Sequence, residues 1–148
     1  MSTYRQILYQ IVFATKNREK TLNPAHHEDL YKYIWGIIKE KNCTLYQING
    51  TEDHIHIASD LHPTVSLADY IKEIKVASSL WMKESGNFGL FKGWGDGYGA
   101  FTYSVKEKGQ LIHYIRNQKE HHKKFDFITE YKELLVEHGI AFDERYLP

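Results

Sequence analysis

Cys43-Thr44-Leu45-Tyr46-Gln47-Ile48, then Asn49-Gly50, then His54-Ile55-His56-Ile57-Ala58-Ser59-Asp60-Leu61 is the stretch on which the fold turns. Its two halves are rich in β-branched and aromatic residues, and Asn-Gly is a dipeptide that turns hairpins. The stretch therefore reads as two antiparallel strands, the second broken by His62-Pro63. Helical patterns flank this hairpin. Upstream, from Pro24 to about Lys41, Leu30, Tyr33, Ile34, Ile37 and Ile38 recur at helical spacing, with Asn23 placed to cap and Pro24 to open the first turn. Downstream, Thr64 or Ser66 caps a helix carrying Leu67, Tyr70, Ile71, Ile74, Leu80 and Trp81 on its apolar stripe. A buried strand at Ile7–Phe13 precedes the first helix. A short strand at about 100–104 follows the second, after the glycine-rich loop Gly93–Ala100. The order β-α-β-β-α-β is the split βαβ, or ferredoxin-like, arrangement. The fold class is α+β: an antiparallel sheet with helices on one face, plus C-terminal helices from about 106, read at 108–120 and 125–137. One domain spanning 1–148 is expected for a chain of 148 residues.

Composition sets the chemistry's surroundings. No segment approaches the roughly 18 apolar residues of a membrane helix, and the single Cys43 has no intrachain disulfide partner, which favours a reducing cytoplasm. Lys plus Arg and Asp plus Glu balance at 19 each, so any nucleic-acid surface must come from local placement of cations rather than from net charge. Aromatic residues make up 14% of the chain, and exposed aromatic faces beside cations suit the stacking of unpaired bases.

Two local motifs carry candidate chemistry. On a strand, residues two apart share a face, so His54 and His56 project together while Ile55 and Ile57 face the other way. Such a pair can hold one cation, or can merely alternate with core isoleucines, and a bare His-x-His does not decide between the two. In Leu111-Ile112-His113-Tyr114-Ile115-Arg116-Asn117-Gln118, Tyr114 and Gln118 stand one helical turn apart and share a surface. A helical tyrosine is more often a core-edge residue than a nucleophile, and context has to choose.

That context is a resemblance. Asp53-His54-Ile55-His56 on a strand, Pro63 to Leu67, Lys75 ahead of Ser78-Ser79, the Trp94-to-Ser104 segment and Tyr114-Ile115-Arg116-Asn117-Gln118 appear in that order. Together they resemble the single-tyrosine HUH transposases of small bacterial insertion sequences, the IS200-like group, over nearly the whole chain. The resemblance implies a metal-dependent transposase acting on single-stranded DNA, with a tyrosine nucleophile at Tyr114. His54, His56 and Gln118 become the metal ligands, for Mg²⁺ or Mn²⁺. It also implies cleavage through a 5′-phosphotyrosine, hairpin-forming element ends as partner, and a homodimer with composite active sites, the tyrosine serving its own chain or the other. Lys106 stands where the family often has glycine after Ser-Val.

Other readings remain beside it: a domesticated relative that processes palindromic repeats, an HUH nickase, or a non-enzymatic RRM-like module that stacks bases on strand aromatics. Lys72, Lys75 and Lys83 are expected to face solvent on the second helix and are candidates for backbone contacts to DNA. His121-His122, at the end of the tyrosine helix, reads first as cations suited to a helix C-terminus and only second as metal ligands, and His26-His27 reads as solvated.

Overall fold

The computed structural model describes residues 2–148. Four strands, β1 (Tyr9–Ala14), β2 (Leu45–Gly50), β3 (His54–Ser59) and β4 (Gly99–Thr102), form one antiparallel sheet in the order β2-β3-β1-β4. This is the order a split βαβ unit produces, with the two inner strands β1 and β3 adjacent. The pleat sorts their side chains. Ile11, Phe13, Ile55 and Ile57 point to one face, where α1 (His27–Glu40) and α2 (Leu67–Ser85) bring Leu30, Ile34, Ile38, Tyr70, Ile71 and Ile74 against them. Each such fully buried side chain stabilises the fold by about 1.5–3 kcal/mol relative to exposure.

The opposite face carries Val12, Ala14, His54, His56 and Ala58, and it is covered as well. Here α3 (Lys108–Arg116) packs Leu111 and Ile115 onto Leu8 and Ala58, while α5 (Phe127–Glu137) packs Phe127, Tyr131, Leu134 and Leu135 onto Val12, Ala14 and Phe101. The sheet is thus sandwiched, with the expected pair of helices on one side and the C-terminal helices on the other. An RRM-like reading needs an open sheet face for bases, and neither face is open.

Several boundaries differ from the sequence expectation, each for a local reason. Asn49 and Gly50 are the last pair of β2, opposite His56 and Ile55, and Thr51–Asp53 makes the turn. Gly50 is required there by close approach, since a Cβ would lie 2.2 Å from the His54 carbonyl oxygen. The helix read as continuous over 108–120 stops at Arg116. Asn117, at φ −95° and ψ 18°, breaks it before α4 (Gln118–His121). Asn23 caps a 3-10 turn at Pro24–His26 that leads into α1, Ser66 caps α2 by accepting from Asp69 N–H, and Asp126 caps α5 by accepting from Thr129 N–H. Lys106 lies in a 3-10 turn closed by a Ser104–Glu107 capping box and has no positive φ, so glycine is not needed at that position.

Candidate active site

The site is built where β3 faces the C-terminal helices. All six residues of β3 are buried, and its register opposite β1 sets His56 across from Val12 and His54 across from Ala14. His54 Nδ1 lies 2.7 Å from Asp53 Oδ1, which also accepts from the Thr51 hydroxyl at 2.9 Å. A carboxylate on Nδ1 fixes the ring and turns Nε2 into the site, a common device behind metal-binding histidines. Burial works to raise the Asp53 carboxyl, but the His54 hydrogen bond and charge outweigh it and hold the group below the usual carboxylate range. Gln10 Nε2 meets His56 Nδ1 at 3.0 Å and turns that ring's Nε2 toward the same point.

The break at Asn117 swings Gln118 inward. Its side-chain oxygen lies 3.1 Å from His54 Nε2, and its amide nitrogen donates to Glu130 Oε2 at 2.8 Å. Tyr114, one turn earlier on α3, sets its ring edge-on to His56 with centroids 5.8 Å apart, and its hydroxyl donates to Glu130. His54, His56, Gln118 and Tyr114 therefore meet within one chain.

Glu130, on α5, stands at the centre of this group and is 1% exposed. Its Oε1 is 2.9 Å from His56 Nε2, 2.9 Å from His122 Nε2 and 3.5 Å from His54 Nε2. Burial works to raise its carboxyl, yet the surrounding histidines override that and hold it ionised, far below the usual carboxylate range. The converse shifts agree with their positions. Burial lowers His56, outweighing the Glu130 charge and hydrogen bond that work to raise it. Burial also works to lower His122, but this ring is less enclosed, and the Glu130 hydrogen bond and charge outweigh desolvation and raise the imidazole. Burial, reinforced by the neighbouring Glu130 charge and hydrogen bond, pushes the Tyr114 phenol well above its ordinary value.

The donor set suits a divalent cation. One ligand atom from each of His54, His56, His122 and Glu130 lies within 4.8 Å of the others. His121 Nε2, buried and without a hydrogen-bond partner, stands 3.6 Å from Glu130 Oε2. Imidazole nitrogens and a carboxylate oxygen facing one point are a donor set of the kind that holds a divalent cation.

The lysines sort differently from expectation. Lys72 and Lys83 are exposed on α2, remote from this group, but Lys75 turns inward. Its Nζ donates to the carbonyls of Gly95 and Gly97 at 3.0 and 2.7 Å, and burial lowers its pKa. Lys75 is thus a strut for the glycine-rich loop rather than a solvent-facing cation. His27 also departs from expectation, buried with its Nε2 2.9 Å from the Leu22 carbonyl. Next to the site, a cleft of 540 Å³ runs from Lys20 past Asp53 and His122 to Lys124 and Phe125.

Sequence reasoning missed Glu130 and ranked His122 low. The signal for Glu130 was present: Phe127, Tyr131, Leu134 and Leu135 form the apolar stripe of α5, and Glu130 interrupts it on the same face. A carboxylate inside an apolar stripe needs partners.

Known proteins share this frame. The family described as "Transposase IS200 like" matches residues 3–118. The IS200 transposases of Salmonella typhimurium and Salmonella typhi are each 27% identical over 120 residues, covering 78% of both chains. Among solved structures, a putative transposase from Deinococcus radiodurans superposes with a TM-score of 0.59 at 23% identity, over 80% of this chain and 95% of that one. A REP-associated tyrosine transposase bound to a REP hairpin superposes at 0.62 with 17% identity, over 82% of this chain and 74% of that one. The covered sheet, the paired histidines and the family match lead to one assignment: this chain belongs to the IS200-like transposase family.

Proposed function

We propose that the chain cuts and rejoins single-stranded DNA through a covalent bond to Tyr114, with a divalent cation held by His54 and His56. The observation that carries this reading is the convergence of Tyr114, His54, His56 and Gln118 in one buried site of an IS200-like transposase. Mg²⁺ or Mn²⁺ is the cation the family resemblance implies. When bound, it neutralises charge on the non-bridging phosphate oxygens.

The remaining work falls to the chain. Tyr114 attacks phosphorus, a Tyr114 O–P bond forms, and the bond to the leaving 3′-oxygen breaks. The phenol proton passes to solvent in the cleft that Tyr114 lines, and the 3′-oxygen leaves as a hydroxyl after taking up a proton from solvent. The stored 5′-phosphotyrosine then exchanges with another strand's 3′-hydroxyl, so no phosphodiester energy is lost to water. Helices α3 to α5 cover the sheet and keep bulk water from the histidines.

Tyr114's contacts with Glu130 and His56 of its own chain support a site complete in one protomer. The homodimer implied by the resemblance then pairs two such sites. The cleft lined by Lys20, Lys124 and the half-exposed Phe125 offers cations beside an aromatic face, which supports it over Lys72, Lys75 and Lys83 as the path of the strand. A DNA substrate and a single thiol fit a cytoplasmic protein; no helix among the described residues is long and apolar enough to cross a membrane. A palindrome-processing role keeps the same chemistry, and the REP hairpin held by one structural neighbour makes such a hairpin a natural probe. The test is incubation with labelled hairpin-forming single strands and Mn²⁺, comparing native protein with Tyr114→Phe on denaturing gels. A label that stays with the native protein and not with the variant is expected. A label retained by Tyr114→Phe overturns the reading.

A further inference from the structure

We infer that the cation site of this chain draws two further ligands from its C-terminal segment, His122 and Glu130, which join the pair His54 and His56 to give three imidazoles and one carboxylate around one point. The inference rests on the reading of His54 and His56 as cation ligands and adds the other half of the site. Both added residues lie outside the stretch 3–118 that matches the family, so they are features of this chain's C-terminal segment.

Three observations carry it. A single oxygen, Glu130 Oε1, is 2.9, 2.9 and 3.5 Å from the Nε2 atoms of His56, His122 and His54, and one ligand atom from each of the four residues lies within 4.8 Å of the others. Glu130 is 1% exposed and sits on the apolar face of α5, where an ionised carboxylate is costly unless positive charge meets it. Gln118 ties the two halves together: its amide nitrogen donates to Glu130 Oε2 at 2.8 Å, which orients the carboxylate so that Oε1 faces the imidazoles, while its side-chain oxygen stays 3.1 Å from His54 Nε2. Three nitrogens and one carboxylate also change the preference. Mg²⁺ favours oxygen ligands in octahedral geometry, whereas imidazole-rich sets favour Zn²⁺ and Co²⁺, with Mn²⁺ between.

The experiment titrates the metal-free chain, without DNA, with Zn²⁺, Co²⁺, Mn²⁺ and Mg²⁺ against a fluorescent chelator, and records the visible absorption of the Co²⁺ form. One tight site per chain is expected for Zn²⁺ and Co²⁺, with Mg²⁺ at least about a hundredfold weaker. Glu130→Gln and His122→Asn should each weaken Co²⁺ binding at least about tenfold and alter its spectrum. Metal-free melting curves check that each variant is folded, and His122→Asn, at the edge of the site, decides the question where Glu130→Gln does not fold. If His54→Ala loses binding while Glu130→Gln and His122→Asn bind like the native chain, the inference is overturned and the His54/His56 reading stands. If His54→Ala binds like the native chain, both fall.

Discussion

Replacing Glu130 by glutamine in the metal-free protein removes the charge at the centre of the site while keeping its volume. In the native fold the carboxylate accepts from Gln118 at 2.8 Å, meets His56 and His122 each at 2.9 Å, and holds the Tyr114 hydroxyl. A glutamine keeps one acceptor oxygen but turns an NH₂ toward donors, leaving buried hydrogen-bonding groups unsatisfied at about 1–3 kcal/mol, beyond the loss of the pairing with cationic His122. Breaking a buried ion pair by removing one partner costs about 3–5 kcal/mol, and that is the expected loss near pH 6. At roughly 2–4 °C per kcal/mol for a chain of this size, Tm falls by about 6–20 °C. The loss also depends on pH. Glu130 is depressed from 4.5, so its contribution is fully present above that value and constant over about pH 6–9. His122 is raised from 6.5, so its contribution is present below that value and is lost as pH rises through the raised one. The gap between native and Glu130→Gln is therefore widest near pH 6 and narrows toward pH 9. Urea unfolding with EDTA at pH 6, 7.5 and 9 measures it. A gap below about 1 kcal/mol at pH 6, or one that widens with pH, refutes the reasoning.

Three further outcomes follow from the same geometry. Gly50→Ala places a Cβ 2.2 Å from the His54 carbonyl oxygen, so the hairpin must open, with a loss of about 2 kcal/mol or more in thermal melts and weaker cation binding through the displaced His54; a native-like melt would contradict the close approach. Asp53→Ala frees the His54 ring, which is held at 2.7 Å, and should lower cation affinity about 10–100-fold with little change in fold by circular dichroism. Lys20→Ala with Lys124→Ala should weaken single-strand binding across sequences and reduce the slope of log affinity against log salt by about 0.7 for each phosphate no longer neutralised, whereas Lys72→Ala and Lys83→Ala leave it unchanged.

The strand and helix order was legible because the periods of two and 3.6 are carried by aliphatic residues on both sides of the hairpin, and the strand order β2-β3-β1-β4 is what that succession produces. His54 and His56 on one face followed from strand alternation alone. The arrangement of Tyr114 and Gln118 was legible as a shared surface, but not the break at Asn117 that turns Gln118 inward, because asparagine inside a helical pattern does not announce a kink. Lys75 misled for a related reason. A lysine on a helix face is ordinarily wet, and only the folded loop brings the Gly95 and Gly97 carbonyls to its ammonium group. Glu130 and His122 were illegible as partners of His54 and His56 since 76 and 68 residues separate them from position 54, and sequence alone does not carry that juxtaposition.

The position of the covalent bond tests Tyr114 as the nucleophile. The protein is incubated with Mn²⁺ and hairpin-forming single strands, the DNA is trimmed with nuclease, and the digested adduct is read by tandem mass spectrometry. One nucleotide-bearing peptide is expected, modified at Tyr114 through a 5′-phosphate. Attachment at another residue, or cut strands with no protein attached at any time point, would contradict it.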